Sequence, residues 1–167
     1  NEERAVVAII GDLQGPKLRL GDLVLDPLEL TEGDHLTLTP HGNADPEQPF
    51  LIPMPHPDVL RDLKSGERLL IDDGQLELVV AGKRADTVVA EVVTGGWLHS
   101  RKGVSLPDSS LSMSAITDKD REDVRFALEQ GVDYIAMSFV RSGDDMREMR
   151  WLLRHLSGEV ALIAKIE

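Results

Sequence analysis

The hydrophobic period of this chain changes twice along its length, and those changes limit the architectures open to it. Residues 5–11, Ala-Val-Val-Ala-Ile-Ile-Gly, form an unbroken apolar run that stops at Asp12. Such a run reads as a strand buried on both faces, the type found in parallel sheets. From Lys17 to Gly103 the pattern becomes short two-residue alternation: Leu18 and Leu20, Leu23 and Leu25, Leu28 and Leu30, Leu36 and Leu38, Leu76 and Leu78, then Val88 to Val93. Turn signals separate these pieces at Gly21-Asp22, Glu32-Gly33-Asp34, Ser65-Gly66, Asp73-Gly74 and Gly95-Gly96. The spacing predicts several short strands in a small β-barrel or sandwich. Pro40 to Pro57 reads as a loop, with one helical turn over Asp58 to Leu63.

After Pro107 the period is helical. Thr117 is an N-cap with Asp120 three positions on, a short-side-chain capping box, and Val124, Ala127 and Leu128 continue the same face to a Gly131 suited to C′. Tyr134 to Phe139 is a second buried strand. Ser142 to Leu156 reads as a helix with Asp144 and Asp145 in its first turn and Arg154 and His155 in its last, closed by Gly158. Val160 to Ile166 is a third apolar run. Strand, insertion, helix, strand, helix, strand is the order of a βα barrel or a doubly wound sheet, with the β-rich region inside the first strand-to-helix connection. Three strands fall short of the eight that close a barrel, so the chain is expected to be a piece of a longer protein.

Charge narrows the partners. Eighteen basic against thirty acidic residues leave a net charge of −12, which repels phosphate backbones at long range and argues against nucleic acid. A small phosphorylated ligand is still possible where cations gather locally. No apolar stretch approaches the ~20 residues that span a bilayer, and Asn1 opens an acidic segment rather than a signal peptide, so membrane and secreted classes drop out. The absence of cysteine removes disulfides and thiol chemistry.

Polar residues end all three apolar runs: Asp12, Ser138 with Arg141, and Lys165 with Glu167. Ligands of parallel α/β folds bind at that edge. Strand alternation puts Lys165 and Glu167 on one side of Ile166. There a carboxylate can hold a divalent cation and an ammonium the phosphate that the cation bridges. In Asp12-Leu-Gln-Gly-Pro-Lys17-Leu-Arg19 the rigid Gly-Pro bend projects Lys17 and Arg19, and Arg101-Lys102 on the returning chain is expected near Arg19. These four cations are the predicted anion-binding patch. Asp72-Asp73-Gly74 reads as a hairpin turn. The five histidines (His35, His41, His56, His99, His155) lack metal-ligand spacing and read as surface residues, Trp97 and Trp151 as packing or hinge residues. Ser109, Ser110, Ser112 and Ser114 form a polar connector with no base in reach.

Five ordered blocks carry a resemblance: DLQGPKLRLG (12–21), LLIDDGQLELVV (69–80), RKGVSLP (101–107), ITDKDREDVRFALEQGVDYIAMSFVRS (116–142) and IAKIE (163–167). In order and spacing they resemble the pyruvate kinase family over almost the whole chain. The resemblance implies a partial TIM (β/α)8 barrel with an inserted small β-barrel lid. Its segments are residues 1–16 as barrel strand and start of the insertion, 17–103 as lid, and 104–167 as barrel helices and strands. It also implies phosphoryl transfer between phosphoenolpyruvate and ADP, giving pyruvate and ATP, with Mg²⁺ or Mn²⁺, in a cytoplasmic homotetramer with neither nucleic-acid nor membrane partners.

Carried over by residue, Lys165 matches the lysine that contacts the transferring phosphoryl group and the enolate oxygen. Glu167 matches an acidic ligand of the divalent metal. Arg19 and Lys102 match residues that meet nucleotide phosphates, and Asp73 an acid facing the cleft. Asp12 matches the acid of the monovalent-cation site, near which Ser138 would sit. The family carries Glu or Lys at position 17, and the Glu branch resembles the K⁺-requiring enzymes. Lys17, with Leu13 in place of the accompanying threonine, implies that K⁺ is not required. The family's Arg-x-Asn-x-Ser segment is expected upstream, a second acidic metal ligand downstream, and the isolated chain is expected to be inactive. Residues 107–114 depart from the family pattern. Two alternatives stay open: a non-catalytic lid-type binding module or degenerate paralogue, and a lyase with a Schiff base on Lys165. The latter needs an apolar pocket around the lysine, and Glu167 is the wrong neighbour for one.

Overall fold

The computed structural model describes residues 7–41 and 47–166, so Glu167 and the first two residues of the 5–11 run lie outside the described residues. In chain order the elements are β1 (Ile10–Asp12), β2 (Leu28–Leu30), β3 (His35–Thr39), β4 (Leu51–Pro53), α1 (Pro57–Asp62), β5 (Arg68–Ile71), β6 (Leu76–Arg84) and β7 (Thr87–Thr94). β8 (Gly96–Leu98), β9 (Val104–Ser105), α2 (Asp118–Glu129), β10 (Tyr134–Met137), α3 (Gly143–His155) and β11 (Ala161–Ala164) complete the order. They divide into two units. One comprises the chain up to Lys17 and again from Ser114, and the other comprises Leu18–Met113.

In the first unit the three strands are parallel, in the order β1-β10-β11. Ile10 lies opposite Tyr134, and Tyr134 opposite Ala161. Both helices begin with reciprocal caps, the first as the sequence announces and the second a finding of the structure. Thr117 accepts from the Asp120 amide and Asp120 from the Thr117 amide, while Ser142 and Asp145 do the same for α3. Acids in the first turn of each, and Arg154 and His155 in the last turn of α3, complement the helix dipole. Val124 and Ala127 from α2 and Met149, Leu152 and Leu153 from α3 pack with Leu13, Ile116, Ile135 and Met137. Burial departs from expectation. β10 is largely buried, but β1 and β11 are not: Ile10 is 51% exposed. β10 lies between two strands, whereas β1 and β11 form the outer strands of this sheet.

The second unit is built on alternation. Its main sheet runs β4-β3-β7-β6-β5-β9, with β2 and β8 as a separate antiparallel pair. Leu36 and Leu38, Leu69 and Ile71, Leu76, Leu78 and Val80, and Val88, Ala90 and Val92 all point into one core. Two segment readings are corrected. The Pro40–Pro57 stretch is not only loop, because β4 pairs parallel to β3 within it, Ile52 opposite Leu38; Pro53 ends the strand, where a missing N–H is tolerated. The β-rich unit also continues past Gly103. β9 pairs with β5, and Leu106, Leu111 and Met113 pack on its core. The Arg68 guanidinium grips Asp108 through Nε at 2.8 Å and Nη2 at 2.9 Å, and Ser109 donates to Glu67 at 2.6 Å. The polar connector is thereby tied to the strands. Neither tryptophan is a packing residue: Trp97 is 57% and Trp151 52% exposed, the latter against the His155 ring.

Candidate functional site

At the C-terminal edge of the parallel sheet the ends of all three strands are tied together. The Leu13 amide donates to Ala136 O at 2.9 Å, and the Lys165 amide donates to Met137 O at 3.0 Å. The buried Ser138 hydroxyl donates to Leu13 O at 2.7 Å. Phe139 takes a positive φ of 56°, and Val140 returns its N–H to Lys165 O at 3.1 Å. On this frame Lys165 Nζ donates to Asp12 Oδ1 at 2.7 Å. Their strands are not neighbours, because β10 lies between them. With ~4.8 Å between strands, the gap is about 9.6 Å, which a four-carbon lysine stem crosses and a shorter cation would not.

The loop after Asp12 is equally determined. Gly15 has φ +64°, and a Cβ on it would come within 3.2 Å of Ser138 O and of the Phe139 ring. Its amide donates to Oδ1 of Asp120 at 3.0 Å. Pro16 follows with its fixed φ, and Lys17 stands exposed. Leu13 puts its side chain in the core rather than toward the site. Arg141 is held beside the α3 N-terminus, facing Asp145 at 3.6 Å.

Within the β-rich unit, Arg19 pairs with Gly103 as an isolated bridge, and its guanidinium donates to Arg101 O at 3.0 Å. The expected approach of Arg101-Lys102 to Arg19 is therefore present. The cations are not an uncompensated patch, however. Arg101 forms a bidentate pair with Asp22, and the guanidinium's hydrogen bonds hold the Asp22 carboxyl below its usual range. Lys102 Nζ lies 2.9 Å from the Asp72 carboxylate. Within an acidic chain, folding has supplied each of these two cations with an acid. Asp72, Asp73 and Gly74 all take positive φ in the β5–β6 turn, as a hairpin tip demands; Asp73 is exposed there. His56 departs from the surface reading of the histidines. It is half-buried, its Nε2 accepts the Arg19 N–H at 3.3 Å, and burial lowers its imidazole pKa.

The sequence reading did not foresee three contacts: Asp12 with Lys165, Gly15 with Asp120, and Lys102 with Asp72. The first two join residues 153 and 105 positions apart, which no local pattern encodes. Glu167, the expected ligand of a divalent ion, lies outside the described residues. Among the described residues no group of three or more His, Asp or Glu is placed to hold a metal ion, and Asp12 is engaged by an ammonium. No described helix is long and apolar enough to cross a membrane.

The family profile described as "Pyruvate kinase, barrel domain" matches residues 1–167. A protein named pyruvate kinase from Agrobacterium vitis is 42% identical over 166 residues, covering 99% of this chain and 34% of the relative. Pyruvate kinase 2 of Synechocystis is 42% identical over 167 residues, 96% of this chain and 28% of the relative. A pyruvate kinase of Methylorubrum extorquens is 40% identical over 166 residues, 99% of this chain and 34% of the relative. The chain spans about a third of the length of these curated relatives.

Proposed function

Because this chain belongs to the pyruvate kinase family, we propose that the full-length protein transfers a phosphoryl group between phosphoenolpyruvate and ADP, yielding pyruvate and ATP. The observation that carries the reading is the Lys165 ammonium, 2.7 Å from Asp12 at the C-terminal edge of the parallel strands, where such folds bind ligands. Phosphoryl transfer asks a protein for positioning and charge compensation rather than covalent help. An ammonium fixed by a carboxylate and by a strand-end backbone needs no reorganisation as charge grows on the transferring group and the enolate oxygen.

The other proposed roles follow the carry-over, residue by residue. Arg19 and Lys102 contact nucleotide phosphates, with Asp73 as an acid facing the same ligand. A divalent ion, Mg²⁺ or Mn²⁺, bound through Glu167, supplies Lewis-acid charge compensation when present. Asp12, Lys17 and Ser138 form the monovalent-cation region or its substitute. Two observations support independence from K⁺. Ser138 Oγ and Leu13 O are bonded to each other, and the Leu13 side chain has no oxygen to offer. Lys17 then supplies a fixed positive charge in place of a bound ion.

Ile10 in β1 and Ile9 just before it, at 51% and 57% exposure, support completion of a (β/α)8 barrel by further strands of the full-length protein; the β-rich unit as an inserted lid is proposed on the family reading alone. A cytoplasmic homotetramer is proposed on the family reading, without nucleic acid or membrane as partner. The test is direct. The full-length protein should produce pyruvate from phosphoenolpyruvate only when ADP and a divalent ion are present, and no ADP-dependent pyruvate in a coupled assay would refute the reading.

A further inference from the structure

Asp120 is more than a helix cap, and its two oxygens show it. Oδ2 alone completes the capping box, accepting the Thr117 amide at 2.8 Å and the Thr117 hydroxyl at 2.6 Å. Oδ1 takes no part in the cap; it accepts the Gly15 amide at 3.0 Å. Asp120 is 1% exposed and Gly15 is buried as well, so losing the bond on Oδ1 leaves a buried donor unmet. Gly15 has left-handed φ and lies against Ser138 and Phe139, so the turn has no slack on its other side. One bond on Oδ1 thus fixes where the chain leaves Gly15, and rigid Pro16 carries that direction to Lys17.

We propose that Asp120 is a positioning residue for the Asp12–Lys17 loop, setting the placement of Lys17 relative to Asp12 and Lys165 through the Gly15 amide. This rests on the reading of that loop as part of the phosphoryl-transfer site. Asparagine cannot replace it. A carboxamide has one acceptor oxygen, so its NH₂ would face a second N–H donor at either Thr117 or Gly15.

The experiment compares Asp120→Asn with Thr117→Ala in the full-length protein. Thr117→Ala removes the cap hydroxyl but leaves the bond to Gly15. Asp120→Asn should lower kcat by roughly 10–10²-fold, the scale on which small misplacements of catalytic groups act, and should speed amide exchange in the peptide after Asp12. Thr117→Ala should lower Tm while leaving kcat and that exchange unchanged. The proposal is overturned if Asp120→Asn keeps kcat within twofold well below its Tm, or if the two variants lose activity in equal measure. Should Asp120→Asn fail to fold, exchange in the wild-type protein decides: protection of the Gly15 amide supports the tether, and free-loop rates refute it. A wild type without ADP-dependent pyruvate production would sink the functional reading alone, because the exchange measurement still reports on the tether.

Discussion

Lys165 Nζ lies 2.7 Å from Asp12 Oδ1, from the far side of an intervening strand. The two residues stand at opposite ends of the chain, and β10 holds their backbones at a separation that this one side chain bridges. The pair is about one-third exposed at the lysine and more at the carboxylate, so its net contribution to stability is small. Its effect is to aim an ammonium. That makes the site's chemistry separable from the fold's stability, and the first prediction uses the separation.

Lys165→Met in the full-length protein should lower kcat by roughly 10²–10³-fold while the KM for phosphoenolpyruvate changes far less, because the lost contact strengthens as charge moves. Steady-state kinetics with varied phosphoenolpyruvate measures both. Near-normal kcat would remove Lys165 from the chemistry.

The wild-type full-length enzyme should work at full rate without K⁺, and Lys17→Glu should make it require the ion. Initial rates against K⁺ in a buffer free of K⁺, NH₄⁺ and Na⁺ decide the matter. Strong activation by K⁺ with Lys17 intact would show that the fixed ammonium is no substitute.

Lys102 is shared between Asp72 and the proposed nucleotide phosphate. Asp72→Asn should free the ammonium and lower the KM for ADP a few-fold, while Lys102→Met should raise it by about tenfold, the equivalent of one contact worth ~1.4 kcal/mol. Equal KM values in both variants would place the nucleotide elsewhere.

The Arg68 guanidinium holds the Asp108 carboxyl at about 2, well below its ordinary value of 3.8. A carboxylate depressed in the folded state stabilises the fold above its unfolded pKa and loses that contribution as pH falls toward the folded one. The Tm advantage of wild type over Asp108→Asn should therefore be constant above pH 5 and shrink between about pH 4 and pH 2. A difference that does not vary over that window would deny the ion pair its role in holding the connector.

The 167-residue chain by itself should give no metal-dependent pyruvate above the blank in a coupled assay. Its outer parallel strands carry exposed apolar side chains, Ile10 on β1 and Ala161 and Ala164 on β11, and sheet edges of that kind favour association over function. Measurable turnover would mean that the described strands suffice for the site.

What the sequence determined by itself is whatever depends on residues a few positions apart. The Thr117–Asp120 box closes within one helical turn, and the placement of Asp144 and Asp145 in the first turn of α3 is equally local. The alternation of Leu36 with Leu38 and of Leu76 with Leu78 assigns the core face without reference to any partner strand, and the Asp72-Asp73-Gly74 turn is set by its own backbone. The strand ends at Asp12, Ser138 and Lys165 were legible for the same reason. Tertiary structure alone decided which of these groups meet. Strand order put β10 between Asp12 and Lys165 and made the outer strands poorly buried, and tertiary packing brought Asp22 and Asp72 to Arg101 and Lys102, cations that the sequence reading places in an anion-binding patch. It also gave Asp120 a second partner in Gly15. Hydrogen-bonding rules are local and can be read along a chain, whereas pairing across a sheet depends on how distant segments pack, and no single segment carries that information.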